Sequence, residues 1–185
     1  EGVMELWAGA TAGGEGSGAH VARILETPVV FVINGSSSAR SAAALVHGYN
    51  TFLPDFKLGG VIINMVSGEA HYQLLRNFIE AEASVPCFGY LAKNPDLVLE
   101  SRHLGLVPSL EVQNLEFRLK ILAQEVEKTV DLDGLLALAA SAPEMTYKAT
   151  EEIKVKPIRK VRIGLALDSA FNFYYEDGLD LLREL

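Results

Sequence analysis

Three short apolar runs, at residues 29–33, 60–63 and 85–91, constrain this chain more than any other feature of it. The first two are rich in β-branched residues and almost continuous in hydrophobicity, which suits parallel strands covered on both faces. Helical periodicity fills the gaps. Ala42, Leu45, Val46 and Tyr49 follow the serine-rich turn Ser36-Ser37-Ser38, and Tyr72, Leu75, Phe78 and Ile79 follow Ser67-Gly68-Glu69. Strand, helix, strand, helix, strand at this spacing is a run of βαβ units, so the expected class is α/β with part of a doubly wound parallel sheet.

Beyond residue 109 the pattern changes. An amphipathic helix is expected over 110–129, with Leu115, Leu119, Leu122 and Val126 on its apolar stripe, and a second over 132–140 after the Asp131/Asp133 turn. The polar stretch 144–159 mixes Lys, Glu and Thr without periodicity and has the composition of an interdomain linker. A further strand is expected at 161–167, a strand-end loop at 168–172 and a helix over 178–185 with Leu179, Leu182 and Leu185 at helical spacing. The expected organisation is one α/β domain over 1–143, a linker over 144–159 and the first strand and helix of a second α/β unit over 160–185. The opening Glu1-Gly2-Val3-Met4 and the unpartnered closing stripe read as the ends of an internal piece of a longer polypeptide.

Composition excludes several classes. A hydrophobic fraction of 49% in 185 residues supports a core of ordinary domain size, which sets disorder aside. A net charge of −8 argues against a nucleic-acid partner. The single cysteine, Cys87, rules out an internal disulfide framework and fits a reducing compartment. No apolar run is long enough to span a membrane and no secretory pattern opens the chain, so a cytoplasmic place is expected.

The candidates for chemistry are few. The glycine-rich stretch 9–18 lacks both the spacing and the lysine of a phosphate loop, and a surface loop is the better reading. The segment 36–41 is different, because it joins the carboxyl end of a strand to the start of a helix, where open α/β sheets take ligands and helix N-termini favour anions. Ser37, Arg40 and Ser41 are the candidate phosphate or substrate contacts there. For Arg40 a clamp on an anion stands against a solvated side chain beside a helix cap. Asn64 ends the next strand at the same edge, where it suits either a nucleobase contact or a turn. Arg102 and His103 share a loop that suits a ligand contact as well as a structural role. His20, His47 and His71 have no metal-ligand spacing and read as ordinary surface or interface residues. Cys87, behind Pro86 in an expected strand, reads as buried and inert.

Several of these stretches together resemble the cobyrinate a,c-diamide synthase family, which is related to dethiobiotin synthetase. The resemblance rests on Glu1-Gly2-Val3-Met4, on Arg40-Ser41-Ala42-Ala43-Ala44-Leu45-Val46 within 28–48, and on Gly59-Gly60-Val61-Ile62-Ile63-Asn64. It continues through Phe88-Gly89-Tyr90-Leu91, Arg102-His103-Leu104-Gly105-Leu106 and Asp168-Ser169-Ala170-Phe171-Asn172-Phe173-Tyr174-Tyr175. It implies a P-loop NTPase-like sheet and a two-domain amidotransferase that uses ATP, Mg²⁺ and glutamine. Such an enzyme phosphorylates two acetate carboxylates of a corrinoid, or a related tetrapyrrole, and displaces phosphate with ammonia. By position, Glu1 would be the Mg²⁺ carboxylate, Asn64 the adenine contact and the 37–41 turn a border of the cleft. Arg102 and His103 would lie near nucleotide and substrate. Residues 160–185 would open a class I glutaminase-like domain. The phosphate loop would precede Glu1 and the glutaminase cysteine would follow Leu185, so this piece alone is expected to be inactive.

The departures matter too. Where the family reads E-G-V-M-G-L-[Y/F]-D-G, this chain carries Glu5, Trp7 and Ala8, and Asn34 and Ala92 stand where Asp and Pro are usual. Ala8 and Asn34 support the alternative of a non-catalytic nucleotide- or tetrapyrrole-binding module. Nickel-sirohydrochlorin a,c-diamide synthase is the alternative within the enzyme class. Apolar faces left open by truncation make a homodimer a further expectation.

Overall fold

The computed structural model describes residues 6–10, 14–98, 101–102, 105–106, 112, 114–146, 160–168 and 170–185. The chain divides into two compact units, Glu1–Val98 with Asn114–Met145, and Leu99–Gln113 with Thr146–Leu185.

The first unit is α/β. Its elements are α1 (Gly18–Ile24), β1 (Val29–Asn34), α2 (Ser41–Thr51), β2 (Leu58–Val66), α3 (Glu69–Ala83), β3 (Cys87–Ala92), a 3₁₀ turn (Pro95–Leu97), α4 (Leu115–Thr129) and α5 (Leu132–Ala140). The three strands form one parallel sheet in the order β1-β2-β3. Right-handed crossovers taken twice in one direction put α2 and α3 on the same face, and these helices pack side by side. The core lies beneath them. Val46 of α2, Val61, Ile63 and Val66 of β2, Leu75 and Ile79 of α3, and Val85 are all fully buried.

The helix stripes follow the expected spacing with one exception. Tyr72, Leu75 and Ile79 face the core. On α2 the inward residues are Ala42, Ala43 and Val46, while Leu45 is turned out and 47% exposed. Two small alanines let α2 approach closely, so the stripe sits one position away from the one the larger side chains suggest. The glycine-rich stretch is not simply a loop. Ser17, buried, accepts a hydrogen bond from the His20 N–H at 3.2 Å and so starts α1.

Asn50, at the end of α2, ties three elements together. Its side-chain oxygen accepts the Leu58 N–H at 2.9 Å and its amide donates to the Ala83 carbonyl at 3.4 Å. Glu80 does similar work for β3, accepting the Cys87 N–H at 3.2 Å and the Arg76 Nε–H at 2.9 Å. At the middle of β3 the chain needs a glycine. Gly89 has φ +139°, and a Cβ there would stand 2.2 Å from the Thr129 carbonyl oxygen. That contact is the α4–α5 junction lying against the strand, held by a bridge between Gly89 and Val130 and by Asp131 N–H donating to Phe88 O at 2.7 Å.

Helix α4 starts at Leu115, later than the 110 expected, because Asn114 adopts a left-handed conformation with φ 54°. Its residues Leu115, Leu122 and Val126 are half-buried and Leu119 is 53% exposed. Helix α5 spans the expected residues, with Asp131 accepting the Gly134 N–H at 2.9 Å as its cap.

The second unit holds a two-residue antiparallel pair, β4 (Ser101–Arg102) with β5 (Gly105–Leu106), and α6 (Glu176–Glu184). The expected strand over 161–167 has no ladder among the described residues, and Val161, Ile163, Leu165 and Leu167 are exposed. A strand is completed by a neighbour, which the described residues do not provide here. The expected loop after it is a compact turn, with the Asp168 carboxylate accepting the N–H groups of Ala170 and Phe171, both at 2.8 Å. Most of the expected linker, 147–159, lies outside the described residues.

Candidate functional site

All three strands of the parallel sheet point their carboxyl ends at one edge, the edge at which open α/β sheets receive ligands. Two asparagines meet there. Asn34 and Asn64 are register partners at the ends of β1 and β2. The oxygen of Asn34 accepts the Ser36 N–H at 2.8 Å, an Asx turn that bends the chain off the strand. The next residue, Gly35, donates its N–H to the Asn64 carbonyl at 2.7 Å. Gly35 is buried over the core, where a Cβ would lie 2.7 Å from Ile63 Cγ2. A β-turn follows, with Ser38 N–H donating to Gly35 O at 3.2 Å and Ser37 in the left-handed region at φ 56°.

Asn64 is half-buried and its side-chain oxygen accepts the N–H of Met65 at 2.8 Å. A backbone N–H can only donate, so the amide orientation is fixed and Nδ2 is left as a donor at the edge. Met65 has φ 62° and the ladder register to β3 shifts between Ile63 and Val66. This bulge re-aims the strand end, a device common beside binding sites. Lys93 follows β3, and its N–H bonds to Val66 O at 2.9 Å, closing the edge on the third strand.

The loop from β2 to α3 is joined to the serine turn through His71. Its Nδ1 lies 3.2 Å from both the N and the Oγ of Ser67, and its Nε2 lies 2.9 Å from the Ser38 carbonyl oxygen. Sequence reasoning set this histidine aside as an ordinary surface residue. The available signal was its place at the third position of α3, from which a side chain can reach back to the residues that precede the helix.

The other predicted residues fare differently. Ser37 and Ser41 are exposed at the edge, in the turn and at the first position of α2. Arg40 also adjoins the turn, but its Nε pairs at 2.8 Å with Glu82, in the last turn of α3. That exposed pair matches the solvated reading better than a preformed anion clamp. Arg102 is on β4 of the second unit, whereas Glu1 and His103 lie outside the described residues. His20 accepts the Gly16 N–H at 3.1 Å, and the carbonyl of His47 accepts the Thr51 hydroxyl at 2.7 Å. Cys87 is buried, and burial pushes its thiol up to about 12. Tyr72 stacks on Tyr90 at 4.7 Å and donates to Cys87 O at 3.3 Å, and burial raises its phenol as well.

A magnesium site needs several oxygen ligands, carboxylates first among them. Among the described residues no three His, Cys, Asp or Glu side chains cluster as metal ligands. The amide and hydroxyl oxygens of Asn34, Asn64 and the serine turn do not by themselves make a cage for a hard cation that prefers carboxylates. Among the same residues, no helix is long and apolar enough to cross a membrane.

The profile of the CobQ/CobB/MinD/ParA nucleotide binding domain matches residues 12–107. Proteins named cobyrinate a,c-diamide synthase are similar along the whole chain. The one from Caldanaerobacter subterraneus subsp. tengcongensis is 41% identical over 185 residues, covering 100% of this chain and 40% of that protein. The Listeria innocua protein is 43% identical over 99% of this chain and 40% of its own length. The Methanosarcina acetivorans protein is 41% identical over 99% of this chain and 39% of its own length. This chain thus spans about 40% of the length of the curated relatives it matches. No solved structure matches it. The chain belongs to the CobQ/CobB/MinD/ParA nucleotide binding domain family, and the resemblance to cobyrinate a,c-diamide synthases first read from its motifs extends along its whole length.

Proposed function

We propose that this chain supplies the nucleotide-facing strand ends of an ATP- and glutamine-dependent cobyrinate a,c-diamide synthase of cobalamin biosynthesis. The observation that carries the reading is the in-register pair Asn34 and Asn64 at the carboxyl edge, inside the stretch matched by a nucleotide-binding family. Asn64 suits adenine. Its free Nδ2 donor and the second lone pair of its oxygen can pair with a ring nitrogen and the exocyclic amine, which is how an asparagine reads that base.

The chemistry would run in two steps. A substrate carboxylate oxygen attacks the γ-phosphorus of ATP, the bond from that phosphorus to the β,γ-bridging oxygen breaks, and ADP leaves. Ammonia released from glutamine then adds to the acyl carbon, loses a proton and expels inorganic phosphate, leaving an amide. A carboxylate resists attack by ammonia until one of its oxygens becomes such a leaving group. Within this scheme residues 1–143 belong to the synthetase, 144–159 to a linker and 160–185 to the start of the glutaminase part. The described residues do not fit Mg²⁺ on their own, so no step is assigned to it. Glu1 is the proposed carboxylate for it, and Ser37, Arg40, Ser41, Arg102 and His103 are the proposed phosphate or substrate contacts, Arg40 by leaving its exposed pair with Glu82. A cytoplasmic place and self-association through apolar α4 and α5, where Phe117 and Leu136 are exposed, belong to the same reading.

The test is amidation by the full-length protein. Cobyrinate, ATP and glutamine should give the a,c-diamide by mass spectrometry, with ¹⁸O from a labelled carboxylate appearing in the phosphate released. Failure to form the diamide would overturn the reading. Turnover of nickel-sirohydrochlorin instead would reassign the substrate. Nucleotide binding without turnover of either substrate would favour a non-catalytic module, for which Asn34 speaks, since its oxygen is already engaged by the Ser36 N–H.

A further inference from the structure

His71 touches both loops of the carboxyl edge, and its two contacts fix its chemical form. The Ser67 backbone N–H can only donate, so Nδ1, 3.2 Å away, must accept. The Ser38 carbonyl can only accept, so Nε2, 2.9 Å away, must carry the proton. The ring is therefore the neutral Nε2–H tautomer, with one nitrogen on the β2–α3 loop and the other on the β1–α2 serine turn.

These partners, Ser38 and Ser67, are 29 residues apart in sequence, and the ring joins them directly, beyond the ladder and the Gly35 bond to Asn64. On one side, Ser38 closes the turn that holds Ser37 left-handed. On the other, Ser67 follows the bulge at Met65 that carries Asn64. Rigid placement of two binding segments lowers the ordering cost of the ligand that meets both. We propose that His71 is a positioning residue, which as the Nε2–H tautomer clamps the serine turn to the β2–α3 loop so that Asn64 and Ser37 meet one nucleotide together. The role rests on the nucleotide reading above and requires no contact between His71 and the ligand.

The two halves of the clamp can be cut separately. The side-chain amide of asparagine can reach the position of Nδ1 but not of Nε2, and glutamine the reverse. In the full-length protein, with ATP as the calorimetric probe, His71→Ala and His71→Asn should each weaken binding by about tenfold. His71→Gln keeps a donor for the Ser38 carbonyl and should stay within about threefold of the parent. A role limited to supporting α3 would give the opposite order, with His71→Asn tolerated and His71→Gln not. Thermal melts of each variant show which are folded, and ¹⁵N shifts of the His71 ring in the unmodified protein report the tautomer without any ligand. The proposal is overturned if ATP binding is the same in all variants, if asparagine rescues better than glutamine, or if the ring proton is on Nδ1. Absence of ATP binding by the unmodified protein would overturn the nucleotide reading, and this role with it, and is distinguished by the tautomer remaining Nε2–H.

Discussion

Gly89→Ala is the most demanding test of how the α4–α5 junction is seated on the sheet. The added methyl carbon would stand 2.2 Å from Thr129 O and 2.6 Å from Val130 Cα, and both are backbone atoms that no side-chain rotation can clear. The backbone at φ +139° is also one that alanine adopts only under strain. Strain of about 1–3 kcal/mol and overpacking of about 1–3 kcal/mol are expected from these two causes. If the junction lifts to make room, the 2.7 Å bond from Asp131 N–H to Phe88 O goes with it, for about 1 kcal/mol more. The total is about 3–7 kcal/mol, a large share of the stability of an ordinary domain. Urea denaturation followed by circular dichroism measures it, with Gly48→Ala as the internal control. Gly48 lies inside α2 with nothing within 4 Å of the Cβ position, so alanine there should stabilise by roughly 0.5–1 kcal/mol. A Gly89→Ala variant within about 1 kcal/mol of the parent, with Gly48→Ala behaving as stated, would refute the close approach.

Other outcomes are equally definite. Ser84 ends α3 in the left-handed conformation at φ 54°, so Ser84→Gly should raise stability by about 1 kcal/mol and the melting temperature by about 2–4 °C; a lower melting temperature would contradict that geometry. Burial lifts the Cys87 thiol from its ordinary value of 9.0 to about 12, with nearby Glu80 adding to the effect. Its folded pKa is raised, so this contribution to stability is complete below about pH 9 and fades as pH rises through 12. At pH 8 a disulfide reagent should therefore label native protein no faster than the protein unfolds, and prompt stoichiometric labelling would count against burial. Asn64→Leu in the full-length protein should weaken ATP binding by about tenfold while leaving inorganic triphosphate binding unchanged, and equal losses for both would remove Asn64 from base recognition.

The strands were legible because β-branched residues run almost without interruption through 29–33 and 60–63, and parallel strands covered on both faces need that pattern. The far end of β2 was not legible. It passes through Met65 at positive φ, a conformation that the residue type does not announce. Leu45 misled for a related reason, since the closeness of α2 to the sheet is set by Ala42 and Ala43 and not by the largest apolar residue. At the site, Asn64 and the serine turn could be found because they sit directly after apolar runs. For His71 only the local contact to Ser67 had a signal, its place in the first turn of α3; its partner across the edge is a backbone carbonyl 33 residues away. Arg40 gave no sign of Glu82 either, because that ion pair joins two side chains 42 residues apart, which no local pattern announces. Both missed contacts join residues far apart in sequence, and the one to the Ser38 carbonyl also lacks any residue-type signature on its backbone side.

The strand order has a consequence for how the chain acquires its shape. Val30 pairs with Gly60 and Ile62 with Gly89, so among the described residues each ladder joins a strand to the next one synthesised. A ribosome delivering this chain releases β2 onto the edge of β1 and β3 onto the edge of β2, and α2 and α3 emerge in time to cover them. None of these three strands waits for a distant partner, so their apolar runs spend little time exposed as the chain is made. The clasp on Gly89 arrives last, when Thr129 and Val130 follow about 40 residues later, and it seals a sheet that is already in register.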